Sequence, residues 1–197
     1  VKIMNILILS GGTGSIALQN GLKKIIPHCH ITNLINLYDD GMSTGVTRKV
    51  CNVLGPSDGR KNQITQYKNQ TKYLNRNILD FYEKRIDIPS DNPIQYCLDL
   101  LYEWNLEEFS RHIINFFKIA KEKNINDFSN FSMANIVYGM MFKEIGYKET
   151  FNFFKGPLSK GFAEVSPSLS SLPRTPTVVV TLINHITFEM WSSLERP

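Results

Sequence analysis

Residues 3–9 form a nearly unbroken aliphatic run, the pattern of a parallel strand covered on both faces. Ser10, Gly11, Gly12, Thr13 and Gly14 interrupt it. Ile16, Leu18, Leu22, Ile25 and Ile26 then recur at roughly helical spacing until Pro27 stops them. Ile31, Leu34, Ile35 and Leu37 predict a second parallel strand over residues 31–38. It completes a strand-helix-strand unit and ends on the paired carboxylates Asp39 and Asp40. From residue 41 to 59 the chain is Gly, Ser, Thr, Asn, Pro and Asp with little apolar content. This predicts a long ligand-facing loop holding a short helical turn around residues 47–52.

Helical spacing returns over residues 75–85, 93–104 and 107–123, the last with Phe109, Ile113, Phe116, Phe117 and Ala120 along one side. These three helices read as a cap or a side layer. A further helix over residues 132–145 is punctuated by Asn130 and Ser132 and gathers Met133, Ile136, Val137, Met140 and Met141 on one face. The predicted architecture is α/β: a Rossmann-like three-layer α/β/α domain with a mostly parallel sheet and a helical insertion after Gln63.

Beyond residue 155 the character changes. That stretch is rich in Ser, Pro, Thr and Val, lacks Asp, carries five of the nine prolines and offers one apolar run, residues 178–183, as a strand. The domain is therefore expected over residues 1–155. The tail, 156–197, stays open between a linker with a last strand and a segment not native to the domain.

Composition narrows the class of function. With 197 residues, 42% hydrophobic and 20% charged, the chain suits a globular domain with a buried core. The +4 net charge without a basic block gives no footprint for nucleic acid or a membrane surface, yet suits a phosphorylated ligand. No apolar run approaches the ~18 residues of a membrane span, and the first one leads into a glycine turn instead of a cleavage site. Cys29, Cys51 and Cys97 are odd in number and far apart, which predicts a reducing, cytoplasmic compartment.

The chemistry concentrates in three polar clusters. Gly12, Gly14 and Ala17 satisfy a G-x-G-x-x-A spacing between a strand and a helix. There, glycines let a phosphate approach free backbone N–H groups, and Thr13 and Ser15 add hydroxyls. A Walker A loop is excluded because no Gly-Lys-Ser/Thr follows. Asp39 and Asp40, at a strand end beside Ser43, Thr44 and Arg48, suit either a ribose hydroxyl or Mg²⁺. Arg60 and Lys61 are natural phosphate partners, and Asp58 either caps the helix beginning there or orients Arg60. His28 and His30 around Cys29 read as a surface turn.

The segments GGTGSIALQNGL (11–22), DDGMSTGVTR (39–48) and GPSDGRKNQ (55–63) together resemble the CofD-like family, which unites 2-phospho-L-lactate transferase with the gluconeogenesis-factor (YvcK-like), UDP-sugar-binding proteins. The gluconeogenesis-factor branch typically reads GGGTG, then DDGGSSG with following arginines, then PPGDxRN, then a Gly-Asn pair whose counterpart here is Ala134-Asn135. The resemblance covers about residues 2–150. It implies that Gly11, Gly12, Thr13, Gly14 and Ser15 cradle a nucleotide diphosphate. Ser43, Thr44, Arg48, Asp58 and Asn135 would contact the ligand, while Asp39, Asp40 and Arg60 would stand at the reaction end, both aspartates beside Mg²⁺. Departures from the pattern are Met42, Ser57 and Ala134 in place of glycines, Val46 in place of an arginine and Lys61 in place of an asparagine.

The implied ligand is a GDP- or UDP-linked small molecule, with no nucleic-acid or membrane partner and a homodimer left open. In the transferase branch a phospholactyl group passes from a guanosine diphosphate adduct to a deazaflavin alcohol with release of GMP. Attack by an alcohol at phosphorus needs positioning and charge neutralisation instead of a protein nucleophile. Three readings follow: a transferase of phosphorus-linked groups, a non-enzymatic UDP-sugar-binding regulator, and, more weakly, an NAD-dependent oxidoreductase.

Overall fold

The computed structural model describes residues 4–10, 14–70 and 74–154. Gly11, Gly12, Thr13, the tail 156–197 and its expected strand lie outside them. The described chain divides between two compact units, with the boundary between Leu37 and Tyr38.

In the first unit, β1 (Met4–Ser10) and β2 (Cys29–Ile35) are parallel, in register from Met4 opposite Cys29 to Ser10 opposite Ile35. Helix α1 (Gly14–Ile25) connects them, as the sequence pattern predicts. Ile8, Cys29 and Ile31 form the small core, packed with Ile6, Leu22 and Ile26. Strand β2 stops short of the expected residue 38. Its pairing partner ends at Ser10, whose carbonyl takes the Asn36 N–H at 3.0 Å. Asp39 and Asp40 consequently stand on a loop and not on a strand end. The expectation that β1 is covered on both faces also changes: Leu7 and Leu9 are 60% and 76% exposed, and among the described residues α1 packs on the face that carries Ile6 and Ile8. Among the described residues the sheet is this two-stranded pair within an α/β chain dominated by helices. Cys29 is buried in β2 and does not lie in a surface turn.

From Tyr38 onward the described chain is helical: α2 (Met42–Cys51), α3 (Ser57–Gln70), α4 (Arg76–Glu83), α5 (Pro93–Glu103), α6 (Ser110–Glu122), α7 (Met133–Ile145) and α8 (Tyr147–Phe153). A 3-10 turn over Glu107–Phe109 leads into α6, and an antiparallel bridge joins Ile86 to Phe131. Helices α4 to α7 occupy the stretches that the apolar spacing predicts. Two corrections concern the expected loop over residues 41–59. It contains the ten-residue α2 instead of one short turn, and α3 begins at Ser57, before Arg60.

Helix α7 organises this unit by packing against α2, α3, α4, α6 and α8. Every residue from Met133 to Phe142 is buried, so it is a central helix and not the one-faced helix its methionine stripe predicts. Around it Tyr138 stacks on Phe154 with ring centroids 4.1 Å apart, while Phe81 stacks on Phe109 and Phe116, Phe117, Phe128 and Phe131 interlock edge to face. Among the described residues no helix is long and apolar enough to cross a membrane.

Candidate functional site

The segment 38–48 carries the acidic part of the site. Gly41 enters α2 with extended backbone, and its N–H donates to Asp39 Oδ1 at 3.1 Å. Arg48, one and a half turns into α2, reaches back to Asp40 Oδ1 at 3.1 Å and lies 5.7 Å from the centre of the Tyr38 ring. The same guanidinium donates to the Tyr38 and Asp39 carbonyls at 3.3 and 3.4 Å, which anchors the loop to its helix. Gly45 is needed for this fit. A Cβ there would stand 2.6 Å from the Asp40 carbonyl oxygen and 3.1 Å from its carboxylate.

Met42 occupies a position where the resembled pattern has glycine, and its φ of 38° lies in the left-handed region. A non-glycine residue pays about 1–2 kcal/mol there, against about 0.5–1 kcal/mol of chain entropy that glycine loses on folding. The side chain is 67% exposed, so little packing opposes the exchange. Met42→Gly is therefore expected to raise stability by up to about 1 kcal/mol, read as a higher urea midpoint with unchanged slope.

Behind the loop lies a buried polar cluster drawn from α2, α3 and α7. Asn135, fully buried in the first turn of α7, donates from Nδ2 to Ser43 Oγ at 3.0 Å and to Ser57 Oγ at 3.1 Å. Its Oδ1 accepts from Arg60 Nε at 2.7 Å. Thr44 and Ser57 share a short hydroxyl–hydroxyl hydrogen bond, and Thr47 Oγ1 donates to the Ser43 carbonyl at 2.8 Å. Arg60 is 2% exposed and also donates to the Tyr82 carbonyl. Burial, reinforced by the neighbouring Arg85 charge, pushes its pKa down to about 10, so it remains a cation at neutral pH.

Arg85 completes the cluster. Its Nη1 donates to Ser43 Oγ at 2.7 Å and to the Asn130 carbonyl at 3.3 Å. Burial lowers its pKa, while the Asp39 carboxylate acts in the opposite direction. Asp58 stands at the start of α3, where a carboxylate complements the helix dipole, with Lys61 Nζ 3.4 Å away. In the first unit, Gly14 opens α1 with open space where a Cβ would stand, and Ser15 is buried. A separate buried chain runs there from Ser10 Oγ to Asn33 at 3.2 Å and from Asn33 to Gln19 at 3.1 Å.

The second unit thus gathers Ser43, Thr44, Arg60 and Asn135 into one network, with Asp39 and Asp40 on the adjoining loop and Arg48 reaching that loop from α2. Ser57, Tyr82 and Arg85 join it without having been singled out as site residues by the sequence. Ser57, a departure from the resembled pattern, brings a hydroxyl that the network uses. Among the described residues no group of three or more His, Cys, Asp or Glu side chains is placed to hold a metal ion. The comparisons do not place the chain beside a known protein: no family model, no curated protein and no solved structure matches it.

Proposed function

We propose that the chain binds a nucleotide-diphosphate conjugate, in the manner of the CofD-like 2-phospho-L-lactate transferase family that its motifs resemble, and transfers a phosphorus-linked group to an alcohol acceptor. The observation that carries this reading is the hydrogen bonding of Asn135 to Ser43, Ser57 and Arg60, which unites three separate motifs in one buried cluster. A buried guanidinium without a carboxylate is costly, and an oxyanion would offset that cost. The finer fold in this reading is a Rossmann-like three-layer domain, and the parallel strand-helix-strand unit supports it.

Mg²⁺ belongs to this reading as a companion of the ligand. Asp39 and Asp40 are two carboxylates on an exposed loop, and Mg²⁺ commonly takes one or two carboxylates together with phosphate oxygens and water. When bound it would neutralise diphosphate charge. Arg48 fixes Asp40, and the Gly41 N–H fixes Asp39.

The test is a thermal-shift panel with Mg²⁺ and GDP, UDP, UDP-sugars, GMP or NAD, repeated on Asp40→Asn. A ligand at a hundredfold its dissociation constant stabilises by about 2.7 kcal/mol. Diphosphates are expected to raise the melting temperature and to do so less in the variant. Release of nucleoside monophosphate from a bound donor identifies a transferase, whereas binding without release favours the UDP-sugar-binding regulator. A response to NAD alone, or to none of the ligands, overturns the reading.

A further inference from the structure

Arg85 is close enough to Arg60 for its charge to act on the Arg60 guanidinium, yet among the described residues neither makes an ion pair. Their surroundings divide the work between them. Arg60 faces inward, with Nε on Asn135 and Nη1 on the Tyr82 carbonyl. Arg85 is half-buried, and both of its hydrogen bonds leave from Nη1, to Ser43 and Asn130. Its Nε and Nη2 have no hydrogen-bond partner among the described residues. These two groups form the edge of a guanidinium that grips an oxyanion through two parallel N–H···O bonds.

The other charged group acting on Arg85 is Asp39, which favours the cation but stands outside ion-pair distance and accepts from the Gly41 N–H. Ser43, which holds Arg85, is in the first turn of α2, a helix end with no side-chain cap and no acidic residue in that turn. Glu83 favours the Arg60 cation in the same way but is itself paired with Lys68. The local charge is therefore two cations and a helix N-terminus against two carboxylates, Asp39 acting on Arg85 and the Lys68-paired Glu83 acting on Arg60.

We propose that Arg85 is the residue of this cluster that meets a phosphate oxyanion of the ligand, through its Nε–Nη2 edge, and that Arg60 is a positioning residue behind it. The assignment rests on the nucleotide-diphosphate reading for the identity of the ligand. Its chemistry, a phosphate or diphosphate group, is shared by free pyrophosphate and by nucleotides. Arg60 acts through Asn135, which holds Ser43, and Ser43 in turn holds Arg85.

The experiment is titration calorimetry of the full chain with pyrophosphate, UDP, GDP, UMP and GMP. The variants are Arg85→Gln, Arg85→Lys and Arg111→Gln, with each unliganded melting temperature recorded. Arg111 pairs with Glu144 near the opposite end of α7 from Asn135, so its loss controls for net charge. Arg85→Gln is expected to weaken diphosphate binding about tenfold or more and to reduce the preference for diphosphate over monophosphate. Arg85→Lys should restore only part of the affinity, because an ammonium lacks the two-pronged edge. Arg111→Gln should bind as the parent does.

Equal diphosphate affinity in the parent and both Arg85 variants overturns the role of Arg85 while leaving the proposed function standing. Binding of pyrophosphate but of no nucleotide, lost with Arg85, supports the oxyanion site and overturns the nucleotide reading. Binding of none of the five probes by the parent overturns both.

Discussion

Replacing Asn135 with alanine is expected to destabilise the chain by about 3–5 kcal/mol, measured as a fall in the urea or thermal midpoint. The side chain is fully buried and hydrogen-bonds to three residues, Ser43, Ser57 and Arg60. A typical hydrogen bond contributes about 1 kcal/mol, but stranding a buried partner costs about 1–3 kcal/mol and more where that partner is charged. Arg60 is the charged partner here. Deleting its acceptor leaves Nε facing a cavity at a site where burial already lowers the pKa to about 10.

Asn135→Asp separates the structural part of this role from its electrostatic part. The carboxylate is nearly isosteric, accepts from Arg60, and takes the hydroxyl protons of Ser43 and Ser57 in place of donating to them. Stability should stay within about 1 kcal/mol of the parent, because a new buried ion pair roughly balances the desolvation it brings. Anion binding should weaken, since the new charge neutralises Arg60 and repels an incoming oxyanion. If Asn135→Asp keeps both stability and diphosphate affinity, Arg60 contributes no charge to the ligand.

The strand-helix-strand unit was legible because each of its parts carries a local signal. An aliphatic run, a glycine interruption and a helical period stand in direct succession between residues 3 and 37. Helices α4 to α7 were legible for the same reason, through apolar spacing and, for α7, the start residues Asn130 and Ser132. The structure adds a cap that this reading did not name: the Asn75 side chain accepts from the Asn77 and Ile78 N–H groups at the start of α4. Helix α2 offers nothing comparable. Its sequence, MSTGVTRKVC, is rich in small and β-branched residues of modest helix propensity, and it buries Ser43, Thr44, Gly45, Thr47, Val50 and Cys51. Its stability comes from packing on α7, a long-range contact that no window of sequence displays.

The same physics hid part of the site. Polar residues are read as solvent-facing, whereas Ser57, Asp58, Arg60, Asn62, Gln63 and Thr65 of α3 are all buried. The motif residues Ser43, Arg60 and Asn135 could be named from the sequence, but their division of labour could not. Arg85 marks the limit most clearly. Along the chain it is the last residue of an ordinary helical pattern, and only the fold brings it to Ser43, 42 positions away.

Gly139→Ala, a change that favours an isolated helix by about 1 kcal/mol, should here destabilise the chain by about 1–3 kcal/mol. Gly139 lies inside α7 where α2 crosses closely. A Cβ there would stand 2.3 Å from Thr47 Cγ2 and 3.1 Å from Cys51 Sγ. Thr47 has little room to yield, being β-branched and fully buried, with its Oγ1 committed to the Ser43 carbonyl. The clash is therefore relieved by moving α2 from α7, which strains the Ser43–Asn135 hydrogen bond and should weaken anion binding at the same time. Gly21→Ala in α1 supplies the opposite sign. No atom lies within 4 Å of its added Cβ, so the helical gain of about 0.5–1 kcal/mol should appear unopposed. Thr47→Ser tests the assigned cause, since it removes the clashing methyl and keeps a hydroxyl for the Ser43 carbonyl. The double variant should recover most of the loss, with a coupling energy of about 1–2 kcal/mol. Additive losses in the double variant would mean that the Thr47 methyl is not what excludes a side chain from position 139.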